Sequence, residues 1–328
     1  MRSKKVFVTL LFVMLNSLSC KNFTTKKGHS LGTLTPEERA YMAAIKAEYE
    51  KMPDTHGTGA YPAIKEMDPR LENHVIYRPK DLSKIKNGKL GVVGWGNGRC
   101  LNDGASSRLY LAEIASYGYV VVAPGGIHSG PGSTPLPPPP ADEPKFGPWK
   151  TSTLDVKAGI EWLLEENKRP NSPYYGKINP EKLAVAGYSC GGSQAIELAS
   201  DPRIKAVIMQ NSGVFKDGVN PYNKVNKSML LKLHSPILYI LGGPKDIAYK
   251  NGMDDFARIS QVPVIVINND YGHGNDLLKQ NGGPSAKAAV AWLEWQLRDD
   301  KKAREYFLGK DCGICADKNW TIERKNFP

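Results

Sequence analysis

Leu183-Ala184-Val185-Ala186-Gly187-Tyr188-Ser189-Cys190-Gly191-Gly192 is the stretch whose reading decides the fold. Leu183 to Gly187 is apolar throughout and reads as a buried strand, and Gly192 to Ser200 reads as a helix. Between them a serine stands in a Gly-x-Ser-x-Gly turn. A chain that passes from strand to helix in so few residues needs small flanks, and glycines at 187, 191 and 192 provide them. Such a turn lifts the serine above the carboxyl edge of a sheet. The helix that opens at Gly191 points its positive end at the same spot.

Working outward, the same alternation continues. Leu90 to Trp95 is an apolar strand that ends in the turn Gly96-Asn97-Gly98, followed by a helix over Ser106 to Tyr117. Tyr119 to Ala123 is a second strand. A Pro/Gly-rich loop from Gly125 to Pro148 includes the tetraproline Pro137 to Pro140. A helix from Ser152 to Glu166 follows, with Val156, Ile160, Leu163 and Leu164 at helical spacing. Ala206 to Met209, Ile237 to Leu241 and Val262 to Ile267 are further strands, and Ala286 to Leu297 closes with an amphipathic helix. His74 to Arg78 is an early strand, and Thr35-Pro36-Glu37-Glu38 starts a helix that runs to Lys51 outside the main sheet. Fully apolar strands alternating with helices predict an α/β fold, a mostly parallel sheet covered on both faces.

A serine nucleophile needs a base, and the base needs an acid to orient it. In folds with this turn they follow in the order serine, acid, histidine, on loops after later strands. Asp246, in Gly242-Gly243-Pro244-Lys245-Asp246, and His273, in Tyr271-Gly272-His273-Gly274, both fall at strand carboxyl ends. Alone, each is an ordinary solvated loop residue; together with Ser189, in order, they form a candidate triad. Asp254 and Asp255 read as helical and exposed, and Asp270 lies too near His273 to approach it from another strand. His234 precedes its strand and belongs at the opposite edge. His128 follows a strand and reads as a substrate contact, with Trp95 and Tyr188 as pocket walls. The oxyanion donors expected are the N–H of Cys190 and that of Asn97 or Gly98.

Setting Cys20 aside, Cys100, Cys190, Cys312 and Cys315 allow two disulfides in three connectivities. Cys100 lies in the expected oxyanion turn and Cys190 beside the nucleophile, so the fold would bring them together; Cys312 would then pair with Cys315. Two buried thiols are the plain alternative for the first pair, and half a zinc site or a redox pair for Cys312-Gly-Ile-Cys315.

Arg2, Lys4 and Lys5, an apolar run from Val6 to Leu15 and a small-residue exit have the layout of a secretory signal over Met1 to Ser19. Leu18-Ser19-Cys20 also fits a lipoprotein signal, with Ser17 where leucine is usual, so a membrane tether through a lipidated Cys20 stays open. Lys21 to Thr33 is polar, and residues 20–34 read as a tether before a single domain over 35–328. Loss of the signal removes three basic residues and no acidic ones, lowering the formal charge from +11 to +8. The lysines are spread rather than massed, which speaks against nucleic-acid binding.

Trp95-Gly96-Asn97-Gly98-Arg99-Cys100, Gly187 to Gly192 and Gly242-Gly243-Pro244-Lys245-Asp246-Ile247-Ala248-Tyr249 together resemble an α/β-hydrolase group similar to chlorophyllase-like, cutinase-like and polyester-hydrolase-like serine esterases. Tyr271 to Gly274, Trp292 to Leu297 and Asp311 to Cys315 extend the resemblance over Gly57 to Trp320. It implies an α/β-hydrolase fold, Ser189, Asp246 and His273 as triad, and hydrolysis of carboxylic esters but no single substrate; acyl transfer by such a triad requires no metal or cofactor, and the ester is small or presented on a glycan or polymer. Tyr188 departs from the Gln or His common in that group. The rival expectations are a peptidase-like hydrolase of the same fold and a surface lipoprotein that binds glycan or polymer without catalysis.

Overall fold

The structure, a computed structural model, describes residues 36–137, 148–216 and 224–327. The expected signal, Cys20, the tether, Thr35 and residues 138–147 of the Pro-rich loop lie outside the described residues. The chain divides into Met1–Arg39 and Ala40–Pro328. Of the first unit, Pro36–Arg39 are helical, the opening of α1 (Pro36–Lys51). Everything below concerns the second unit.

Its frame is one nine-stranded sheet. The strands are β1 (Ala63–Glu66), β2 (His74–Pro79), β3 (Leu90–Gly96), β4 (Tyr119–Pro124), β5 (Ile178–Tyr188), β6 (Ile204–Gln210), β7 (Ile237–Leu241), β8 (Val264–Asn268) and β9 (Thr321–Lys325). They lie in the order β1-β2-β4-β3-β5-β6-β7-β8-β9. The six strands from β4 to β8 in that order run parallel, while β1, β2 and β9 are added antiparallel at the margins. The chain is therefore of mixed α/β class with a mostly parallel sheet.

Alternation along each strand divides the core in two. Val92, Val122, Val185, Val207 and Val266 face α3 (Thr153–Lys168) and α4 (Cys190–Leu198), where Val156, Ile160, Leu163 and Ile196 cover them. Val93, Trp95, Val121, Ala186, Ile208 and Ile267 face the opposite way, toward α2 (Arg108–Ser116) and α6 (Gly283–Arg298), which supply Leu111, Ile114, Trp292 and Leu293. The start of α3 is fixed locally. Ser152 accepts from the Asp155 N–H while the Asp155 carboxylate accepts from the Ser152 N–H, a reciprocal cap that sets where the helix begins.

Two expectations shift at the edges of elements. β5 begins at Ile178 rather than Leu183, because its first residues, though largely polar and exposed, extend the ladder beyond a register shift against β3. α4 starts at Cys190, directly after the serine.

Candidate active site

β5 ends at Tyr188, α4 starts at Cys190, and Ser189 alone makes the turn, at φ 52 and ψ −117. A positive φ at a non-glycine residue costs on the order of 1–3 kcal/mol and persists only where surroundings enforce it. Here they do: the Ser189 N–H donates to Gln210 O at 3.0 Å, and the Ser212 hydroxyl donates to Ser189 O at 2.7 Å. Close packing explains the flanking glycines. A Cβ on Gly187 would lie 2.1 Å from Gly191 O, and one on Gly191 would lie 2.0 Å from Gly96 O.

Three loops at the carboxyl edge then converge. Ser189 Oγ lies 3.0 Å from His273 Nε2, and His273 Nδ1 lies 2.6 Å from Asp246 Oδ1. The sequence-predicted serine, histidine and aspartate are thus aligned in series. Burial pushes the Asp246 carboxyl up, yet it is held below the usual carboxylate range, chiefly by His273 and by the N–H groups of Ala248 and Gly242. An ionised Asp246 accepts from Nδ1–H, which leaves Nε2 to accept from the Ser189 hydroxyl.

The oxyanion side is equally constrained. Cys100 and Cys190 form a disulfide across 90 residues of chain. The turn from β3 passes through Arg99 at φ 53 and Cys100 at φ 49, both left-handed. It is held by the Asn97 amide, which donates to Leu101 O (2.9 Å) and Pro124 O (2.7 Å), and by the Lys150 and Thr151 N–H groups, which donate to Cys100 O. Among the described residues, the backbone N–H groups of Asn97 and Gly98 donate to no backbone acceptor. That of Cys190, first in its helix, has no partner one turn back.

Tyr188 fits between the turns. Its hydroxyl donates to His273 O at 3.0 Å, its ring lies 5.2 Å from the imidazole, and a Cβ on Gly98 would meet it at 2.4 Å. Burial pushes the phenol up, so it remains a neutral donor. Its contact is with the base itself, beyond the pocket role expected from sequence.

The remaining sequence-predicted residues lie as follows, and one of them, Asp255, is a correction. Trp95, expected as a pocket wall, is fully buried, with its ring 5.3 Å from that of Tyr110. Asp255 is not exposed. It faces inward from α5 (Tyr249–Arg258), where its carboxylate accepts from the Val214 N–H, Lys227 and Tyr239; Asp254 is half-exposed. His128 is half-buried, and its Nδ1 bonds Thr134 O at 2.9 Å; among the described residues it makes no hydrogen bond to Ser189, Asp246 or His273. His234 is exposed just before β7, and Asp270 is exposed after β8.

Sequence reasoning missed Asn211, the residue after β6, which contacts both the acid and the base loop. Its signal is available only as position: it stands directly beyond a strand at the carboxyl edge, where open α/β sheets gather functional side chains.

Cys312 and Cys315 form a second disulfide, with the Arg324 guanidinium 3.0 Å from both sulfurs. Two disulfides are features of an oxidising environment. Among the described residues no helix is long and apolar enough to cross a membrane, and no group of three His, Cys, Asp or Glu side chains is placed to hold a metal ion.

Comparison with family models and with curated proteins returns no match.

Proposed function

We propose that the protein is a serine esterase of the α/β-hydrolase fold, cleaving carboxylic esters through an acyl-enzyme on Ser189. The observation that carries this reading is the continuous line Ser189 Oγ–His273 Nε2 (3.0 Å) and His273 Nδ1–Asp246 Oδ1 (2.6 Å), set beside open backbone donors. Hydroxyl, imidazole and carboxylate in that series can perform acyl transfer with this chain's own groups.

His273 takes the Ser189 proton as Oγ attacks the ester carbonyl. The developing oxyanion meets the N–H of Cys190 and that of Asn97 or Gly98, each such donor contributing roughly 100- to 1000-fold. His273 then protonates the leaving alcohol, and a water deprotonated by the same imidazole hydrolyses the acyl-enzyme. Asp246 holds the imidazole in the needed tautomer throughout. The Cys100–Cys190 bond keeps the two donor-bearing turns in register.

The same reading makes the protein exported through Met1–Ser19, with Cys20 a candidate lipid anchor. The substrate is an ester, small or borne by a glycan or polymer. A panel of p-nitrophenyl esters and peptide amides, run on the wild type and on Ser189→Ala, tests the class. Ester turnover abolished by Ser189→Ala is expected. Turnover of amides alone, or of nothing by the folded wild type, would contradict it.

A further inference from the structure

We propose that Asn211 is a positioning residue that locks acid and base together and sets the basicity of His273; this rests on the esterase reading only for its kinetic consequence. Asn211 follows β6 at φ 44, a conformation that asparagine tolerates better than most residues, and its N–H donates to Ile240 O at 2.7 Å. The residue is 1% exposed. The amide Nδ2 donates to Asp246 Oδ2 at 2.8 Å and to Gly272 O at 3.0 Å. One amide group therefore grips the outer oxygen of the acid and the carbonyl immediately before the base.

Its orientation is fixed from behind, because Gln210 Nε2 donates to Asn211 Oδ1 at 2.5 Å. A flipped amide would set its oxygen against a carboxylate and a carbonyl, both acceptors. Asp246 Oδ2 receives one other donor, the Gly242 N–H, while Oδ1 is shared by His273 and the Ala248 N–H. Removing Asn211 thus takes away one of the two donors on the far oxygen. The carboxylate becomes more basic and holds the imidazolium more strongly, so His273 binds its proton to higher pH.

Other titratable groups near His273 stay unchanged by this removal: Asp270, Asp276 and Lys279 on its own loop and Tyr188 from β5. Asp276 is buried, and its carboxylate accepts from Ser285 and Asn269. Lys279 lies over the Tyr271 ring.

The test uses Asn211→Gly, which accepts the positive φ while deleting the amide, and Asn211→Asp, which keeps the shape and, where ionised, sets a second negative charge against Asp246 in place of a donor. An NMR titration of the His273 imidazole in the full chain needs no turnover. The expected result is an upward shift of about 0.5–1 pH unit in Asn211→Gly and a larger one in Asn211→Asp. In kinetics normalised to the fluorophosphonate-labelled fraction, kcat falls about 10- to 100-fold with KM nearly constant, and the acidic limb of kcat/KM moves the same way. A His273 titration unchanged in both folded variants overturns the proposal, as does a loss seen only as a smaller folded fraction. If His273 shifts but the wild type hydrolyses no ester, the positioning role stands and the esterase reading falls.

Discussion

Asp246 and Asp255 lie nine residues apart, and both carboxylates have side chains 0% exposed. They titrate in opposite directions. Burial pushes the Asp246 carboxyl up, yet an imidazole and two backbone N–H groups hold it below its usual range, and the Asn211 amide donates to it as well. Asp255 is pushed up to about 6, since burial outweighs the Lys227 ammonium, the Val214 N–H and the Tyr239 hydroxyl. Burial alone does not mark a functional carboxylate. What separates the two is where the charge points. Asp246 directs it toward a half-buried imidazole and Ser189 beyond, whereas Asp255 closes an internal ion pair that pins the segment after β6 to α5.

The largest effect expected to test this contrast is on turnover. Asp246→Asn should lower kcat about 10³- to 10⁴-fold by releasing the imidazole tautomer. Asp255→Asn should leave kcat within several-fold, and similar losses in both variants would erase the distinction. Next comes geometry without charge. Replacing both Cys100 and Cys190 by Ser leaves Asp246 and His273 untouched but frees the turn after β3 from α4. A stability loss of about 2–5 kcal/mol by denaturant titration is expected. On the esterase reading, the remaining folded protein should turn over about 10- to 100-fold more slowly.

A third effect is on stability against pH. Asp255, with its folded pKa raised, takes up its proton at a higher pH in the folded state than in the unfolded one. Its charge therefore destabilises the fold progressively as pH rises from about 4 to about 6, by on the order of 2–3 kcal/mol in all. Asp246, with its folded pKa lowered, contributes stability above the unfolded pKa of about 4 that is lost as pH falls through its folded value. Asp255→Asn should flatten the wild-type slope between about pH 4 and 6 in thermal melts while leaving the acid limb. The smallest effect is expected from Tyr188→Phe. It removes one hydrogen bond to His273 O, worth about 1 kcal/mol, and should slow turnover several-fold at constant KM.

The two aspartates also show how far residues alone can be read. Asp246 is legible because Gly242-Gly243 follows an apolar strand and the order Ser, Asp, His is directional. Asp255 is not, because Asp254-Asp255 looks like a solvated pair. Only the packing of α5 decides which of them turns inward. Asp254 stays half-exposed beside Arg258, while Asp255 meets the half-buried Lys227 and the buried Tyr239 and Val214. Trp95 shows a related limit: its strand and its turn are legible, but its full burial follows from the face of β3 that it occupies.

β1 and β9 leave no trace in the pattern because short, polar edge strands carry no apolar run. β9, Thr321–Lys325, carries no apolar run and becomes a strand by pairing with β8. The central strands, the elbow and the order of the candidate triad are all visible in the residues. Asn211 is not, because an asparagine after a strand has no motif, and its meaning comes from two loops that arrive from later in the chain.

The measurement that tests the central claim most directly is labelling of the folded, full-length protein with a fluorophosphonate, followed by peptide mass spectrometry. A single adduct on Ser189, absent in Ser189→Ala and formed far more slowly in His273→Ala, is the predicted result. A folded protein that stays unlabelled, or carries its adduct on another residue, would contradict it.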